Sequence, residues 1–275
     1  MLKIIYVFIF SVCAVLPAKA QDVYCAGEDS LIFERFLQYS QQGDRSIIHT
    51  AQFFMGAPYV SGTLEGDSVE RLRVNLRELD CFTLVENVIA LYLMLQGDDR
   101  SFDNFCTHLQ RIRYRNGILN GYLSRLHYTS EWIDYNNRKG ILNLPKSALS
   151  NAFAPNVSFM SSHCDLYPAL KTHPSWCAEI RQTEDHINQL QLFYIRKEQV
   201  KNAANDICDG DMIAITTHIK GLDVAHVGFA LVRNGKIFLF HASSETKKVI
   251  VSGETLYEYL MNRKNHSGII VARIR

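Results

Sequence analysis

One cysteine has surroundings that suggest a nucleophilic reaction. Cys81 follows Asp80 and opens the most apolar predicted helix of the chain, so its thiol would lie beside unsatisfied backbone N–H groups. These N–H groups and the positive end of the helix dipole favour a thiolate, and they can hold an oxyanion once the thiolate attacks a carbonyl carbon. The competing interpretation is a buried, inert cysteine at a helix start.

Two histidines could act with this cysteine. His226 and His241 fall on neighbouring predicted strands, and Asn234-Gly235 predicts a two-residue hairpin between them. Pairing outward from this turn places His226 opposite residue 243, one diagonal step from His241. Such a pair can supply a general base and a residue that orients it. Two hydrogen-bonded sheet histidines without a chemical role are the alternative.

The elements that must position these residues begin with helices. Apolar residues recur at helical spacing through the first half of the chain, and the segment that starts at Cys81 is apolar all round, which predicts a buried helix. Helices are predicted over 29–41, 45–55, 81–95, 101–113 with Ser101 as its cap, a short segment capped by Thr129 or Ser130, and 179–193, with an irregular stretch over 140–178.

The last quarter of the sequence changes to short strands. Alternating apolar residues and turn signals predict strands Met212–Thr217, Ala225–Val232, Lys236–His241 and Lys247–Val251, then a helix over 255–264 and a strand over 268–274. Helices first and strands later indicate an α+β fold with helices packed on an antiparallel sheet. No linker-like change of composition divides the chain, so one domain is expected.

Charge and the first twenty residues limit the classes of function. The 29 Lys and Arg nearly balance the 28 Asp and Glu, with no block of like charge, which argues against a nucleic-acid partner. Lys3, the apolar run Ile4–Leu16 and Ala18-Lys19-Ala20 predict a cleaved secretory signal over 1–20, with the mature chain starting near Gln21. No segment is apolar for long enough to predict a transmembrane helix.

Export makes disulfides possible among the six cysteines that follow the signal. Cys164 and Cys177 lie among His163 and His173, all residue types that can bind a metal. Their spacing matches no familiar zinc motif, so a Cys164–Cys177 disulfide is preferred over free thiols and over zinc. No metal site is expected, and the cysteine chemistry needs no cofactor.

Three short motifs in this order resemble the NlpC/P60 papain-like cysteine peptidases: Asp80-Cys81-Phe82-Thr83, His226-Val227-Gly228-Phe229-Ala230 and His241-Ala242-Ser243. Further segments resemble one branch of them, the DUF1460 or N-acetylmuramoyl-L-alanine amidase-like proteins. The resemblance covers nearly all of the mature chain from about Glu28. The segments are Gly56-Ala57-Pro58-Tyr59, Gly62-Thr63-Leu64-Glu65, Leu79–Leu91, Arg125-Leu126-His127-Tyr128, Glu131-Trp132-Ile133 and Gly221-Leu222-Asp223.

The resemblance implies a papain-like fold over 21–275, with N-terminal helices that include the nucleophile helix, a C-terminal antiparallel sheet and a family-specific helical and loop insertion. It implies hydrolysis of the bond between N-acetylmuramic acid and L-alanine in muropeptides, including those with a 1,6-anhydro end. Cys81 would be the nucleophile, His226 the general base and His241 the residue that orients it. The implied protein is a periplasmic monomer that acts on peptidoglycan fragments.

Several further residues are candidates for substrate binding, and each has a structural alternative. Tyr59 could line the cleft or be a core aromatic, and Asp80 could bind substrate, although a helix cap is preferred for it. Arg125 could hold a peptide carboxylate and Trp132 could stack on a sugar, or the two could be a surface charge and a packed tryptophan. The full set is Tyr59, Asp80, Thr83, Arg125, His127, Trp132 and Asp223.

Two other functions remain open at this stage. A γ-D-glutamyl–diamino-acid endopeptidase would use the same nucleophile but would cut within the stem peptide. A muropeptide-binding protein without catalysis would have no need for a reactive thiol at position 81.

Overall fold

The structure, a computed structural model, describes residues 23–66 and 69–275. Helices dominate the first part of the chain and strands dominate the last part, as the sequence predicts. The helices are α1 (Gly27–Tyr39), α2 (Ile47–Gln52), α3 (Cys81–Gln96), α4 (Phe102–Arg113), α5 (Thr129–Arg138), α6 (Phe159–Ser162), α7 (Pro168–Thr172), α8 (Trp176–Ile187) and α9 (Leu256–Met261). The strands are β1 (Val23–Cys25), β2 (Leu72–Val74), β3 (Leu142–Asn143), β4 (Asn151–Phe153), β5 (Leu192–Arg196), β6 (Met212–Thr217), β7 (Val224–Arg233), β8 (Lys236–Ser243), β9 (Lys248–Thr255) and β10 (His266–Ile274).

One large antiparallel sheet organises the molecule. Its strands run in the order β4-β5-β10-β6-β7-β8-β9, and β3 pairs with the end of β10. In the β7–β8 hairpin Arg233 pairs with Lys236 and Phe229 with Phe240, which is the predicted register. The register between β6 and β7 shifts just before His226. A local irregularity of this kind re-aims the side chains beside it.

The two faces of the sheet are covered differently. Helices α1–α5 pack on one face, and α3 lies against β7 and β8 with almost every side chain buried. The apolar character of this helix on all sides therefore follows from its central position. On the other face a smaller cluster includes Leu256, Tyr259 and Leu260 of α9.

A third, separate cluster is built from residues 122–190. Leu170 of α7 and Ile180 and Ile187 of α8 are buried in it with Tyr122 and Tyr128. Cys164 and Cys177 form a disulfide in this unit, which confirms the preferred pairing. The cross-link closes a short loop and limits the freedom of this segment in the unfolded chain.

Several elements differ from the sequence prediction. The segment Leu192–Arg196 is strand β5 and not the end of a helix, because it pairs with β10 about seventy residues later and with β4. The predicted cap of α5 is also wrong. Tyr128 is the N-cap residue and has no side-chain cap, while the carboxylate of Asp223 accepts from the Ser130 N–H at 2.7 Å.

Two expectations concern export and the membrane. The predicted signal over 1–20 lies outside the described residues. Within 23–66 and 69–275, no helix is both long and apolar enough to cross a bilayer.

Candidate active site

The N-terminus of α3 is fixed by a reciprocal capping arrangement. The Asp80 carboxylate accepts from the backbone N–H groups of Phe82 at 3.0 Å and Thr83 at 2.7 Å. The Thr83 hydroxyl accepts from the Asp80 N–H at 2.9 Å. The preferred role of Asp80 as a cap is confirmed. The buried Thr83 hydroxyl belongs to the same capping box, and a substrate contact for it stays a prediction.

The Cys81 thiol opens this helix but is not a low-pKa thiol. Burial raises its pKa to about 12, and the charge of Asp80 acts in the same direction. The backbone N–H groups of Val227, Cys81 and Phe82 near the thiol lower its pKa, but by less. The sequence-based expectation of a thiolate is therefore wrong for the resting site, because desolvation outweighs the helix terminus.

His226 and His241 meet as the hairpin register requires. Nε2 of His226 lies 2.7 Å from Nδ1 of His241, and the two rings are perpendicular. If Nε2 of His226 carries the proton, it donates to His241 and leaves Nδ1 of His226 as a free acceptor. The pair then has the proton arrangement of a base and the residue that orients it.

Both imidazoles are uncharged at neutral pH. Burial lowers the pKa of His226 to about 3, and the charge of Arg263 and any protonation of His241 or His266 act in the same direction. Burial and Arg263 lower the pKa of His241 to about 4. The resting site thus combines a protonated thiol with an imidazole that can accept its proton.

Two neighbours link Cys81 to the histidines. The backbone N–H of Val227, the residue after His226, is close enough to the Cys81 thiol to lower its pKa. The ring of Tyr259 lies 6.4 Å from that of His226 and 5.5 Å from that of His241, centre to centre. Tyr259 is also close enough to Cys81 for a thiolate there to raise the tyrosine pKa. Cys81 and the histidine pair thus share Tyr259 and the start of β7 as neighbours.

Tyr59 is a predicted binding residue that lies beside the thiol. Its side chain is half-buried, and burial together with the charges of Cys81 and Asp80 raises its pKa. Its backbone N–H donates to Lys247 of the β8–β9 turn at 2.9 Å. A role in substrate contact stays a prediction for this residue.

Trp132 does not have the position predicted for a sugar platform. It is completely buried, its Nε1 donates to Glu86 at 3.2 Å, and its ring packs edge-on against Phe82. Glu86 in turn forms a buried ion pair of 2.7 Å with Arg113. The alternative interpretation of Trp132 as a packed tryptophan is the correct one, and it explains why Glu86 occurs in an apolar helix.

Arg125 is neither an exposed charge nor an unpaired one. Its buried guanidinium pairs with Glu65 at 2.9 Å and Glu70 at 3.1 Å, over the ring of Tyr122. These four residues line a cavity of about 520 Å³, to which Trp176 and others contribute from the disulfide-linked segment. The prediction that Arg125 holds a substrate carboxylate remains, but its guanidinium already forms ion pairs with two carboxylates of the protein.

The other two predicted binding residues have structural partners. A ring nitrogen of His127 lies 3.0 Å from the Tyr122 carbonyl, and burial with nearby Arg125 lowers the His127 pKa to about 3. Asp223 is buried and accepts from the N–H groups of Ser130 and Val224, both at 2.7 Å, and a substrate role for it stays a prediction. The sequence motif Gly221-Leu222-Asp223 thus joins α5 to the start of β7.

Sequence reasoning missed Tyr259, Arg263 and His266 around the histidine pair. The Tyr259 and His266 rings stack at 5.8 Å, and Arg263 lies over the Tyr259 ring at 3.6 Å. Tyr259 and Arg263 are four residues apart on the predicted helix 255–264, a spacing that places side chains together. Among the described residues no group of three potential ligands is arranged to hold a metal ion.

Comparison with known proteins identifies the family. A family model described as AmiA-like, N-acetylmuramoyl-L-alanine amidase-like, matches residues 49–269. The chain belongs to the N-acetylmuramoyl-L-alanine amidase-like family. This confirms the resemblance seen in the sequence motifs.

Solved structures agree with the family. A structure titled N-acetylmuramoyl-L-alanine amidase from Bacteroides uniformis is 39% identical, with a TM-score of 0.80 over 84% of this chain and 100% of that one. One titled putative xylanase from Bacteroides fragilis is 37% identical, with a TM-score of 0.76 over 82% and 99%. A DUF1460 protein of Legionella pneumophila, 22% identical, shares the fold at a TM-score of 0.68 over 90% and 94%. No curated protein matches the chain.

Proposed function

We propose that this chain is a cell-wall amidase that hydrolyses the bond between N-acetylmuramic acid and L-alanine in muropeptides. Cys81 is the nucleophile, His226 the base and His241 the orienting residue, on an NlpC/P60 papain-like fold. The observation that carries the proposal is the 2.7 Å hydrogen bond between the two imidazoles, beside a cysteine at a helix N-terminus, in a chain of this family. The substrate class supports a periplasmic location for the protein.

The protonation states define the first chemical step. The thiol is neutral and His226 is an unprotonated base, so the thiol proton moves to Nδ1 of His226 as sulfur attacks the lactyl carbonyl carbon. His241 then stabilises the imidazolium through Nε2 of His226. The Asp80 carboxylate binds the N–H groups of Phe82 and Thr83, which leaves the Cys81 N–H for the oxyanion.

The second half of the reaction returns the proton. The C–N bond breaks, His226 donates its proton to the departing amine of L-alanine, and a thioester remains on Cys81. A water molecule then gives a proton to His226 as its oxygen attacks the thioester carbonyl. The C–S bond breaks, and His226 returns the proton to the Cys81 sulfur. The products are a muramyl carboxylic acid, a free stem peptide and the regenerated thiol.

Mass spectrometry of a disaccharide anhydro-muropeptide tests the proposal. The mature protein should release an intact stem peptide that begins with L-alanine, and the Cys81→Ala variant should release none. Cys208→Ala, which removes an exposed thiol, serves as the matched control and should keep full activity.

The other outcomes separate the alternatives. A sugar product that retains L-Ala–D-Glu would assign the cut to the stem peptide and hence an endopeptidase. An unchanged substrate that stays bound to the protein would identify a binding protein. Stem-peptide release by Cys81→Ala would remove Cys81 from the mechanism.

A further inference from the structure

A cation lies directly behind the histidine pair. Arg263 follows α9, and its guanidinium carbon is 3.6 Å from the centre of the Tyr259 ring. The same ring stacks towards His226 and stands edge-on to His241. Tyr259 is only 7% exposed, so the charge faces the site through a buried aromatic layer.

This cation is held from two further elements. Its Nη1 is 2.8 Å from Glu254 at the end of β9, and its Nη2 contacts both oxygens of Glu245, in the β8–β9 turn, at 3.2 and 3.1 Å. The second oxygen of Glu254 accepts from Asn262 at 2.6 Å. Planar, multidentate pairing of this kind fixes a guanidinium far better than a single contact does.

Resting on the proposed function, we propose that Arg263 is a positioning residue for the amidase site. Clamped by Glu245 and Glu254, it holds the Tyr259 ring against the imidazoles of His226 and His241 and keeps a permanent positive charge behind them. It does not touch the reacting atoms and acts through Tyr259.

The charge has a chemical consequence for the base. The titratable or charged groups around the two imidazoles are Cys81 on α3, Tyr259 on α9, His266 on β10, and Arg263 with its two partners Glu245 and Glu254. Arg263 lowers the pKa of all three histidines, while Glu245 opposes it at His241 and His266. The positive charge therefore keeps the resting imidazole pair neutral and opposes its protonation by solvent.

Orientation is the second consequence. The His226–His241 hydrogen bond forms with the two rings perpendicular. A buried histidine on a strand can still rotate about its χ1 and χ2 torsion angles, so its ring orientation must be fixed by its neighbours. Tyr259 touches both rings, so fixing Tyr259 from behind fixes the plane of each imidazole. Loss of Arg263 should therefore lower kcat and leave KM little changed, because no substrate contact is removed.

The test uses Arg263→Met, which keeps the length of the side chain and removes its charge, and Arg263→Lys, which keeps the charge without the clamp. NMR titration of the imidazole protons of His226 and His241 is followed without substrate, over the pH range in which circular dichroism shows each variant to be folded, and kcat and KM are followed with muropeptide. We expect Arg263→Met to move the imidazole midpoints up by about one pH unit. Arg263→Lys should move the midpoints by less than half as much but should still lower kcat.

Arg233→Met is the matched control for loss of an arginine charge. Arg233 is exposed at the hairpin end of β7, seven residues from His226, which is about 23 Å along a strand. It should change neither the titration nor kcat. If Arg263→Met proves unfolded, the two separate variants Arg263→Lys and Glu245→Gln replace it. In Glu245→Gln the imidazole midpoint of His241 should fall, because the negative charge that raises its pKa is lost.

The outcomes distinguish this inference from the proposed function. Imidazole midpoints in folded Arg263→Met that match those of the parent protein overturn the inference, whatever the activity. A shift in these midpoints without any muropeptide cleavage by the parent protein would overturn the amidase proposal and retain the electrostatic role of Arg263.

Discussion

The Cys81 thiol keeps its proton in the resting protein because burial outweighs the helix terminus. Alkylation by iodoacetamide requires the thiolate. We therefore expect the rate at Cys81 to rise roughly tenfold per pH unit from pH 6 to 9, with no plateau below pH 9. Peptide mapping by mass spectrometry measures each cysteine separately. A rate that is already constant between pH 5 and 7 would show that the resting site holds a thiolate–imidazolium pair.

His226 and His241 should differ in how much activity their loss removes. His226→Ala removes the base and should lower kcat by about 10²- to 10⁴-fold. His241→Gln removes one hydrogen bond to a group that becomes charged, which contributes about 1.5–3 kcal/mol. The expected loss in kcat is then about 10- to 100-fold.

Steady-state kinetics on a muropeptide, with circular dichroism to verify folding, measures these losses. Equal losses for the two histidine variants would contradict the division of roles between base and orienting residue.

Gly228 sets how closely β7 and β8 approach beside the histidines. A Cβ at this position would lie 2.6 Å from the Phe240 carbonyl oxygen and 3.0 Å from the His241 Cβ. Gly228→Ala must push the two strands apart next to His241, so we expect a stability loss of about 1–3 kcal/mol and a large loss of kcat. Urea denaturation and muropeptide turnover measure the two effects.

The matched control for this glycine is Gly253→Ala on β9. No atom lies within 4 Å of a Cβ built there, so this variant should behave like the parent protein. A stable, fully active Gly228→Ala would mean that the spacing of the two strands does not matter for the site.

Local signals made the C-terminal sheet and α3 predictable from sequence. The Asn234-Gly235 turn and the alternation beside it depend only on neighbouring residues, and they gave the β7–β8 register and hence the meeting of His226 with His241. Strand β5 could not be found in this way, because its partner β10 lies far along the chain.

Other parts of the site depend on tertiary contacts that no spacing reveals. The burial of Trp132 on Glu86 depends on how α5 packs on α3. The high pKa of Cys81 depends on how many protein atoms pack around this half-buried thiol, whereas its position at a helix start was visible in the sequence. The ion pairs of Arg263 with Glu245 and Glu254 could not be predicted from the sequence for the same reason.

For the molecule as a whole, buried histidines make the native state sensitive to acid. The pKa of His127 and His226 is lowered to about 3 and that of His241 and His266 to about 4. In the unfolded chain each titrates near 6.5, so the unfolded state binds more protons between these values. The stability that the neutral histidines contribute is complete above about pH 6.5 and is lost progressively as the pH falls towards 4.

The free energy of unfolding should therefore fall steeply on the acid side. Each of these histidines contributes up to about 1.4 kcal/mol per pH unit in this window. Urea denaturation at pH 7.5, 6 and 5 measures the slope of the unfolding free energy against pH. His266→Asn should reduce this slope by the contribution of one histidine, up to about 1.4 kcal/mol per pH unit. Equal stability at pH 7.5 and 5 would contradict neutral burial of these side chains.

The two-residue turn at Asn234–Gly235 fixes more than the path of the chain. Because side chains alternate along a strand, a slip of one residue between β7 and β8 would send His241 to the opposite face of the sheet. A turn lengthened by one residue could keep every catalytic side chain in the sequence and still separate the base from its partner. The number of residues in this turn thus determines the site as much as Cys81 does. Variants with a longer or shorter turn would fold but would lack activity.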